Sequence, residues 1–239
     1  MSNWKPIAAM LVTCAVLIGV LSYWLDNKAP QQALLLDSAG GDLNAPLSPE
    51  ELKVVKAPIT NAMNPQAILK TNKGTIVLEL FEDQMPVTVG NFVTLAEEGF
   101  YNNTKFHRVI NNFMIQAGDP NTKTENELTY GTGGPGYTIQ DEFVEGDLLT
   151  NTRGTIAMAN TGQPNSGGSQ WFINLVDNTP LDFDKQPLSS KHPVFGRVIE
   201  GMDVVDAIGT TETNQRDLPL EPVLIESISI SREGAVEAQ

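Results

Sequence analysis

Nucleophilic and metal-binding residues are scarce in this sequence. The chain has two histidines, His107 and His192, and one cysteine, Cys14. One thiol excludes an intramolecular disulfide and a multi-thiolate metal site, and two imidazoles argue against a histidine-built metal centre. Ser166 and Ser169 lie in NSGGSQ, which lacks the G-x-S-x-G turn of a nucleophilic serine. Hydrolytic and metal-dependent chemistry are therefore not expected.

Two further segments have the composition of ligand-binding motifs but lack their context. Residues 131–136 read GTGGPG, and polar flanks stand where a dinucleotide site needs a strand and a helix. We interpret this segment as a tight glycine loop. We interpret the acids that follow as a solvated loop, because they lack the spacing of a calcium site: Asp141, Glu142, Glu145 and Asp147.

A different set of residues suits the binding of an extended peptide. Arg108, Phe113, Met114 and Gln116 fall within nine residues, in the runs FHRVI and FMIQAGD. Strand alternation would place Phe113 with Ile115 on one side and Met114 with Gln116 on the other, so a bend is needed to unite them. One cation beside apolar and amide side chains describes a peptide groove. The alternative is that the apolar members are ordinary core residues and Arg108 a surface residue.

The elements that must position these residues are mostly short strands. Apolar runs at 67–71 and 75–80 flank an Asn-Lys-Gly turn and predict a hairpin. Apolar residues three and four apart predict a helix that begins at Pro86 and ends before Gly99, and a second helix is predicted over 202–208. This pattern indicates a mainly β domain, a barrel capped by helices. Further strands are predicted at 105–110, 113–117, 155–159, 171–175, 193–198 and 222–231.

Composition sets the limits within which these motifs operate. The chain has 239 residues, 41% of them hydrophobic, which is too many for a disordered acidic chain. Its net charge of −14 argues against general binding to nucleic acid, which needs clustered Lys and Arg. The length suits one core-forming domain with an appendage.

The appendage is predicted to be a membrane anchor. Residues 7–25 form an uncharged run of 19, long enough to span the hydrocarbon layer as a helix, with Trp4 before it and Trp24 near its end. Lys5 favours an N-in, C-out orientation, and the alternative is a cleaved signal peptide. We therefore divide the chain into an anchor at 1–25, a tether at 26–64, a domain at 65–233 and a tail at 234–239.

The order and spacing of the motifs resemble those of the cyclophilins, the peptidyl-prolyl cis–trans isomerases. The resemblance covers about 67–231 and rests on FHRVI, FMIQAGD, GTGGPGY, MAN followed by SGGSQWFI, and VFGRVIEGMDVV. It implies a closed eight-stranded antiparallel barrel capped by two α-helices. The short glycine loop, the DEF after it and the VVDAI helix are more similar to the bacterial branch.

The resemblance also assigns roles to particular residues. It implies that Arg108 is the catalytic arginine and that His192 lies at the pocket edge. In many members an aromatic residue, often Trp, precedes the pocket leucine, whereas Pro180 stands there in this chain, which puts cyclosporin binding in doubt. The remaining implied binding residues form the proline pocket, offer amides or supply backbone contacts: Phe113, Met114, Phe172 and Leu181; Gln116, Asn160 and Gln170; and Ala159.

Together these features predict a membrane-anchored isomerase that accelerates X-Pro rotation in unfolded or extended clients and so assists protein folding. Rotation breaks no bond, so no cofactor or metal is expected. We expect a monomeric catalytic domain on the periplasmic side of a bacterial inner membrane, or a secreted one if the N-terminal segment is cleaved. A non-catalytic binding module that uses the same groove is the alternative from another class.

Overall fold

The computed structural model describes residues 64–186 and 191–232. The predicted anchor, nearly all of the tether and the C-terminal tail lie outside these residues. No helix in the described ranges is both long and apolar enough to cross a membrane.

Nine strands and two α-helices make up the described part of the chain. In chain order they are β1 (Gln66–Thr71), β2 (Gly74–Leu80), α1 (Pro86–Glu97), β3 (Thr104–Lys105), β4 (Arg108–Ile110), β5 (Met114–Ala117), β6 (Thr155–Met158), β7 (Trp171–Asn174), β8 (Val194–Glu200), α2 (Met202–Gly209) and β9 (Leu224–Ser231). Four short 3-10 helices lie in the connections: Pro120–Lys123, Glu127–Thr129, Asp147–Leu149 and Thr179–Leu181.

The strands form one curled antiparallel sheet in the order β3-β9-β1-β2-β8-β6-β7-β5-β4. The predicted hairpin is confirmed, since β1 and β2 pair along their whole length. The single strand predicted at 105–110 is wrong, because the chain changes partner at Phe106 and His107. The amide of Phe106 donates to Val223 O beside β9, whereas that of His107 donates to Gln116 O on β5. The two end strands of the sheet are thus consecutive segments of the chain, and nine strands are found where the resemblance implied eight.

Helix α1 confirms its predicted apolar face and obtains its N-terminal cap from a distant loop. Its buried side includes Val89, Phe92 and Val93. The N-cap position holds Met85, which makes no side-chain cap bond. The carboxylate of Glu142 instead accepts hydrogen bonds from the amides of Val87 at 2.9 Å and Thr88 at 2.6 Å. This contact ties the start of α1 to a loop about 55 residues further along the chain.

The main core lies between the concave face of the sheet and the two helices. Trp171 is fully buried at its centre, and its ring lies edge-on to those of Phe92, Tyr101 and Phe106. Helix α1 packs on β9, and α2 packs on β2 and β5. A smaller apolar cluster is separate from this core and lies around Met114, Ala157 and Phe172. Because side chains alternate along strands, β5, β6 and β7 contribute to both clusters.

Candidate active site

A row of side chains crosses the sheet on the face that carries the smaller cluster. Arg108 on β4 is the register partner of Gln116 on β5, and Gln116 is the partner of Phe172 on β7. Ala157 on β6 continues the row. Residues directly opposite in antiparallel strands point to the same side, so a cation, an amide and an aromatic ring lie side by side. The structure therefore brings together three of the predicted site residues.

An apolar pocket borders this row. Met114 and Phe172 are almost completely buried, and Phe113, Ala159 and Leu181 pack against the same cluster with part of their surface open. Phe113 comes before β5, in the turn where its amide donates to Ile110 O, so it escapes the alternation of the strand. This is the bend that the sequence required.

An amide network forms the opposite wall. The Gln116 Nε2 donates to Gln170 Oε1 at 3.0 Å, and Gln170 Nε2 donates to Gly131 O at 3.1 Å and Gly133 O at 2.8 Å. The glycine loop thus fixes an amide pair by its carbonyl groups. Gly133 in this loop has no room for a side chain, because a Cβ there would lie 2.1 Å from an oxygen of the buried Asp119.

The groove continues past Ala159 and Asn160. The Asn160 Nδ2 donates to Lys191 O at 2.7 Å, and its Oδ1 accepts from the amide of Gly162 at 3.0 Å. The Ala159 amide donates to Gln170 O at 3.0 Å. A cavity of about 480 Å³ lies here, lined in part by Gln116, Ala159, Asn160 and Gln170.

His192 closes the edge of the pocket. Its ring meets that of Phe172 edge-on, with the centroids 5.4 Å apart. Its Nδ1 lies 3.0 Å from Met158 O, which can only accept, so this nitrogen carries a proton. Burial lowers the pKa of His192, and the Met158 carbonyl partly opposes the shift. The ring is therefore neutral near pH 7 and serves as a wall of the pocket.

Arg108 is held much more loosely than its neighbours. Its side chain is 44% exposed, and its Nε lies 3.8 Å from Asp217 Oδ2. An exposed pair at this distance contributes less than about 1 kcal/mol. The guanidinium is thus available to a ligand in the groove.

The serines make no nucleophilic arrangement. Ser169 Oγ donates to Gly118 O and Ser166 Oγ donates to Gln163 O, both at 2.7 Å. His107 is buried behind the site, where burial lowers its pKa. No group of three or more His, Cys, Asp or Glu side chains within the described ranges is arranged to hold a metal ion.

The acidic loop is only partly the solvated segment that its composition predicts. Glu142 caps α1, as described above. Asp141 Oδ2 accepts from the Asn165 amide at 2.7 Å, and Asn165 Oδ1 accepts from the Asp141 amide at 2.9 Å. These partners are 54, 55 and 24 residues away along the chain. Local spacing contains no signal for such contacts.

The structure combines a curled antiparallel sheet and two helices with a groove in which an arginine lies beside an amide pair and an apolar pocket. The chain belongs to the cyclophilin family: the family model described as "Cyclophilin type peptidyl-prolyl cis-trans isomerase/CLD" matches residues 67–230.

Curated relatives agree with this assignment. The chain is 46% identical over 168 residues to peptidyl-prolyl cis-trans isomerase B of Escherichia coli K12, covering 67% of this chain and 96% of that protein. It is 41% identical over 165 residues to human peptidyl-prolyl cis-trans isomerase-like 1, covering 67% of this chain and 89% of that protein. The chain is accordingly an enzyme, a cyclophilin-type peptidyl-prolyl cis–trans isomerase.

Solved structures show the same fold. A cyclophilin-type isomerase from Cryptosporidium parvum, crystallised in the presence of the dipeptide Ala-Pro, has a TM-score of 0.59 and 30% identity. The similarity covers 70% of this chain and 98% of that one.

Proposed function

We propose that Arg108 is the catalytic residue and that the groove beside it binds extended, proline-containing segments of unfolded clients. The observation that carries this proposal is the shared row of Arg108, Gln116 and Phe172 on one face of the sheet. It places a charged donor at the end of the row, beside a fixed amide and on the same face as the apolar pocket.

The barrier to rotation arises from resonance between the proline nitrogen and the preceding carbonyl, and it amounts to about 18–20 kcal/mol. In the twisted transition state this nitrogen becomes pyramidal, and its lone pair is localised on it instead of being delocalised into the carbonyl. The Arg108 guanidinium stays protonated and offers directional donors, so a hydrogen bond to that nitrogen would stabilise the twisted state and oppose resonance. Such a contact is stronger in a site from which water is partly excluded.

The pocket and the amides would divide the substrate into a held part and a rotating part. Phe113, Met114, Phe172 and Leu181 would clamp the proline ring, with His192 at the edge. Gln116, Gln170, Ala159 and Asn160 would anchor the adjoining backbone. The Ala-Pro dipeptide used with the Cryptosporidium protein supports a proline-containing ligand for this groove.

Exchange spectroscopy by NMR on an Ala-Pro peptide would test this proposal, since it reports both acceleration and binding. We expect the full-length chain to accelerate exchange and Arg108→Ala to bind the peptide with little acceleration. Full acceleration by Arg108→Ala would refute the catalytic role. Binding by wild type without acceleration would select the non-catalytic module instead.

We further propose that residues 1–25 anchor the protein in the inner membrane, with the catalytic domain on the periplasmic side. The uncharged run of 19 residues and its flanking aromatic residues support this. The charge distribution is compatible: residues 1–60 carry four basic and five acidic residues, so the rest carry 11 and 24, a net charge of −13. An acidic domain would be repelled by anionic lipid, and the tether at 26–64 would hold the groove away from it.

Mass spectrometry of the protein from a membrane fraction would test the anchor directly. Intact residues 1–25 in that fraction would support it, whereas a soluble, shortened chain would support signal cleavage and secretion. The similarity to the Escherichia coli protein is in keeping with a bacterial member of the family.

The affinity of this protein for cyclosporin is predicted to be weak. Pro180 is exposed in the 3-10 helix Thr179–Leu181, directly before the pocket residue Leu181. It lacks the aromatic surface that the family's tryptophan offers. A titration of wild type against Pro180→Trp would test whether this position limits the affinity.

A further inference from the structure

A buried polar cluster lies behind the proline pocket. We name Asn151, Thr155, Asn174, Asn178 and Asp182 the amide cluster. Each of the five is at most 9% exposed, and Asn151 and Asn174 are completely buried. Burying polar side chains costs free energy unless their hydrogen bonds are made, so the bonds within the cluster determine its geometry.

The bonds run continuously from the floor of the pocket to its edge. Asn178 Nδ2 donates to Phe113 O at 2.8 Å and to Asn174 Oδ1 at 2.7 Å. Asn174 Nδ2 donates in turn to Asn151 Oδ1 at 3.0 Å. Asn151 Nδ2 then donates to Asp182 Oδ1 at 2.8 Å and to His192 O at 2.9 Å.

The cluster also holds the segment between these two ends. The Asn178 amide donates to Asn151 O at 2.7 Å, and Asn178 O accepts from the Leu181 amide at 2.8 Å. Leu181 O then accepts from the His192 amide at 3.0 Å. Phe113, Leu181 and His192 are therefore all connected to one set of buried amides.

These three residues need such support because they lie outside the strands. Phe113 is in the turn before β5, Leu181 ends a 3-10 helix and His192 precedes β8. Met114 and Phe172, the other residues of the pocket, are held by the ladder of the sheet. Phe113 O also accepts from the Leu175 amide at 2.9 Å, which extends the β5–β7 pairing by one residue, whereas Leu181 and His192 lie outside any strand.

We propose that the amide cluster is a positioning device that sets the separation between Phe113 and the Leu181–His192 edge, and thereby the affinity for the proline ring. The inference rests on the proposed function, in which these residues clamp proline. Asn178 is the residue on which it depends most. Its NH2 group faces two acceptors, Phe113 O and Asn174 Oδ1, so this position requires a double donor.

The decisive variant is Asn178→Asp, because aspartate has the shape of asparagine but no amide donors. In the full-length chain we expect its Kd for an Ala-Pro peptide to rise roughly tenfold, with kcat changed by less than about threefold. Asn178→Ala should raise Kd less, because it removes the donors without placing a carboxylate against two acceptors.

Asn72→Asp is the matched control. Asn72 lies in the turn between β1 and β2, outside the groove, where its Nδ2 donates to Pro222 O at 3.0 Å and its Oδ1 accepts from the Leu224 amide at 3.0 Å. The Asn72→Asp variant should have a lower Tm than wild type and the same Kd for the peptide. A lower Tm with unchanged Kd in Asn178→Asp as well would overturn the positioning role.

A second variant protects the test against misfolding. If Asn178→Asp does not fold, Asn151→Ser provides the second test. It removes the side-chain bonds from Asn151 Nδ2 to Asp182 and His192, and the backbone amide of residue 151 keeps its bond to Asp182 Oδ1. It should raise Kd in the same way, and an unchanged Kd would contradict the proposal. Failure of the proposed function gives a different result, because wild type itself would then fail to bind the peptide or fail to accelerate its exchange.

Discussion

Arg108 lies directly opposite Gln116 across the antiparallel pair β4 and β5. Their side chains leave the same face of the sheet but are held very differently. Gln116 is fixed through Gln170 to the glycine loop, whereas the guanidinium has one exposed ion-pair contact at 3.8 Å, to Asp217. This difference suits catalysis of X-Pro bond rotation. A rigid amide can anchor the substrate backbone, and a loosely held cation can approach the proline nitrogen in the twisted state.

Replacement of this arginine should separate catalysis from stability. Arg108→Ala should lower kcat/KM by about two to three orders of magnitude, which corresponds to about 3–4 kcal/mol of lost transition-state stabilisation. Arg108→Lys should recover only part of the activity, since lysine keeps the charge but lacks the fixed planar donors. Exchange spectroscopy measures the activity, and urea unfolding measures the stability.

Arg216→Ala is the control for this series, because Arg216 is also half exposed and pairs with Glu127 at 3.4 Å. Both alanine variants should change the free energy of unfolding by less than about 0.5–1 kcal/mol, as expected for exposed pairs. Equal activity in the two variants would contradict a special role for Arg108.

The regular parts of this fold follow from local pattern. The period of Val89, Phe92 and Val93 gave the buried face of α1, and the turn at Asn72 gave the first hairpin. The strand boundaries were correct to within about two residues except between Thr104 and Ile110. There the alternating pattern continues through Phe106 and His107, although the backbone changes its hydrogen-bond partner from the β9 side to β5. The alternation of apolar residues does not indicate which strand is the partner.

The candidate site could be assembled only in part from sequence. Resemblance to the family supplied its residues, and strand alternation anticipated the bend at Phe113. The amide cluster was not predicted, because Asn151, Asn174 and Asp182 are individually ordinary polar residues in strand ends and loops. Their function depends on burial and on partners 23 and 31 residues away, which a single sequence does not report.

The distant cap of α1 should contribute measurably to stability. Glu142→Gln removes a charge from two amide donors at the positive end of the helix. We expect a loss of about 1 kcal/mol in the free energy of unfolding. Glu145→Gln, a change in an exposed acid of the same loop, should have less than half this effect. Urea unfolding of both variants provides the comparison, and equal effects would argue against the cap.

The pocket should be separable from the core by two matched substitutions. Phe172→Leu and Phe195→Leu each shorten a buried aromatic residue, and each should cost about 1–3 kcal/mol of stability. Only Phe172 lies in the smaller cluster with Met114, so only its variant should weaken binding of an Ala-Pro peptide. Titration of both variants well below their Tm would decide this, and equal weakening would point to a general loss of rigidity.

The two histidines should make the fold less stable below pH 6.5. Their pKa values are lowered from the ordinary 6.5, mainly because burial disfavours the imidazolium. The charge of Asp119 partly opposes the shift at His107, as the Met158 carbonyl does at His192. The unfolded chain therefore takes up protons near pH 6.5 that the folded chain does not. Their stabilising contribution is complete above pH 6.5 and is lost as the pH falls from there toward the folded pKa values.

Urea unfolding at pH 7.5, 6.5 and 5.5 would measure this loss, whose limiting slope is about 1.4 kcal/mol per pH unit for each histidine. His107→Gln and His192→Gln should each flatten the profile. Carboxylates such as Glu82 and Asp206, whose pKa values are lowered by their arginine partners, lose their contributions only at still lower pH. A profile that is flat between pH 7.5 and 5.5 in wild type would show that neither imidazole is kept neutral by the fold.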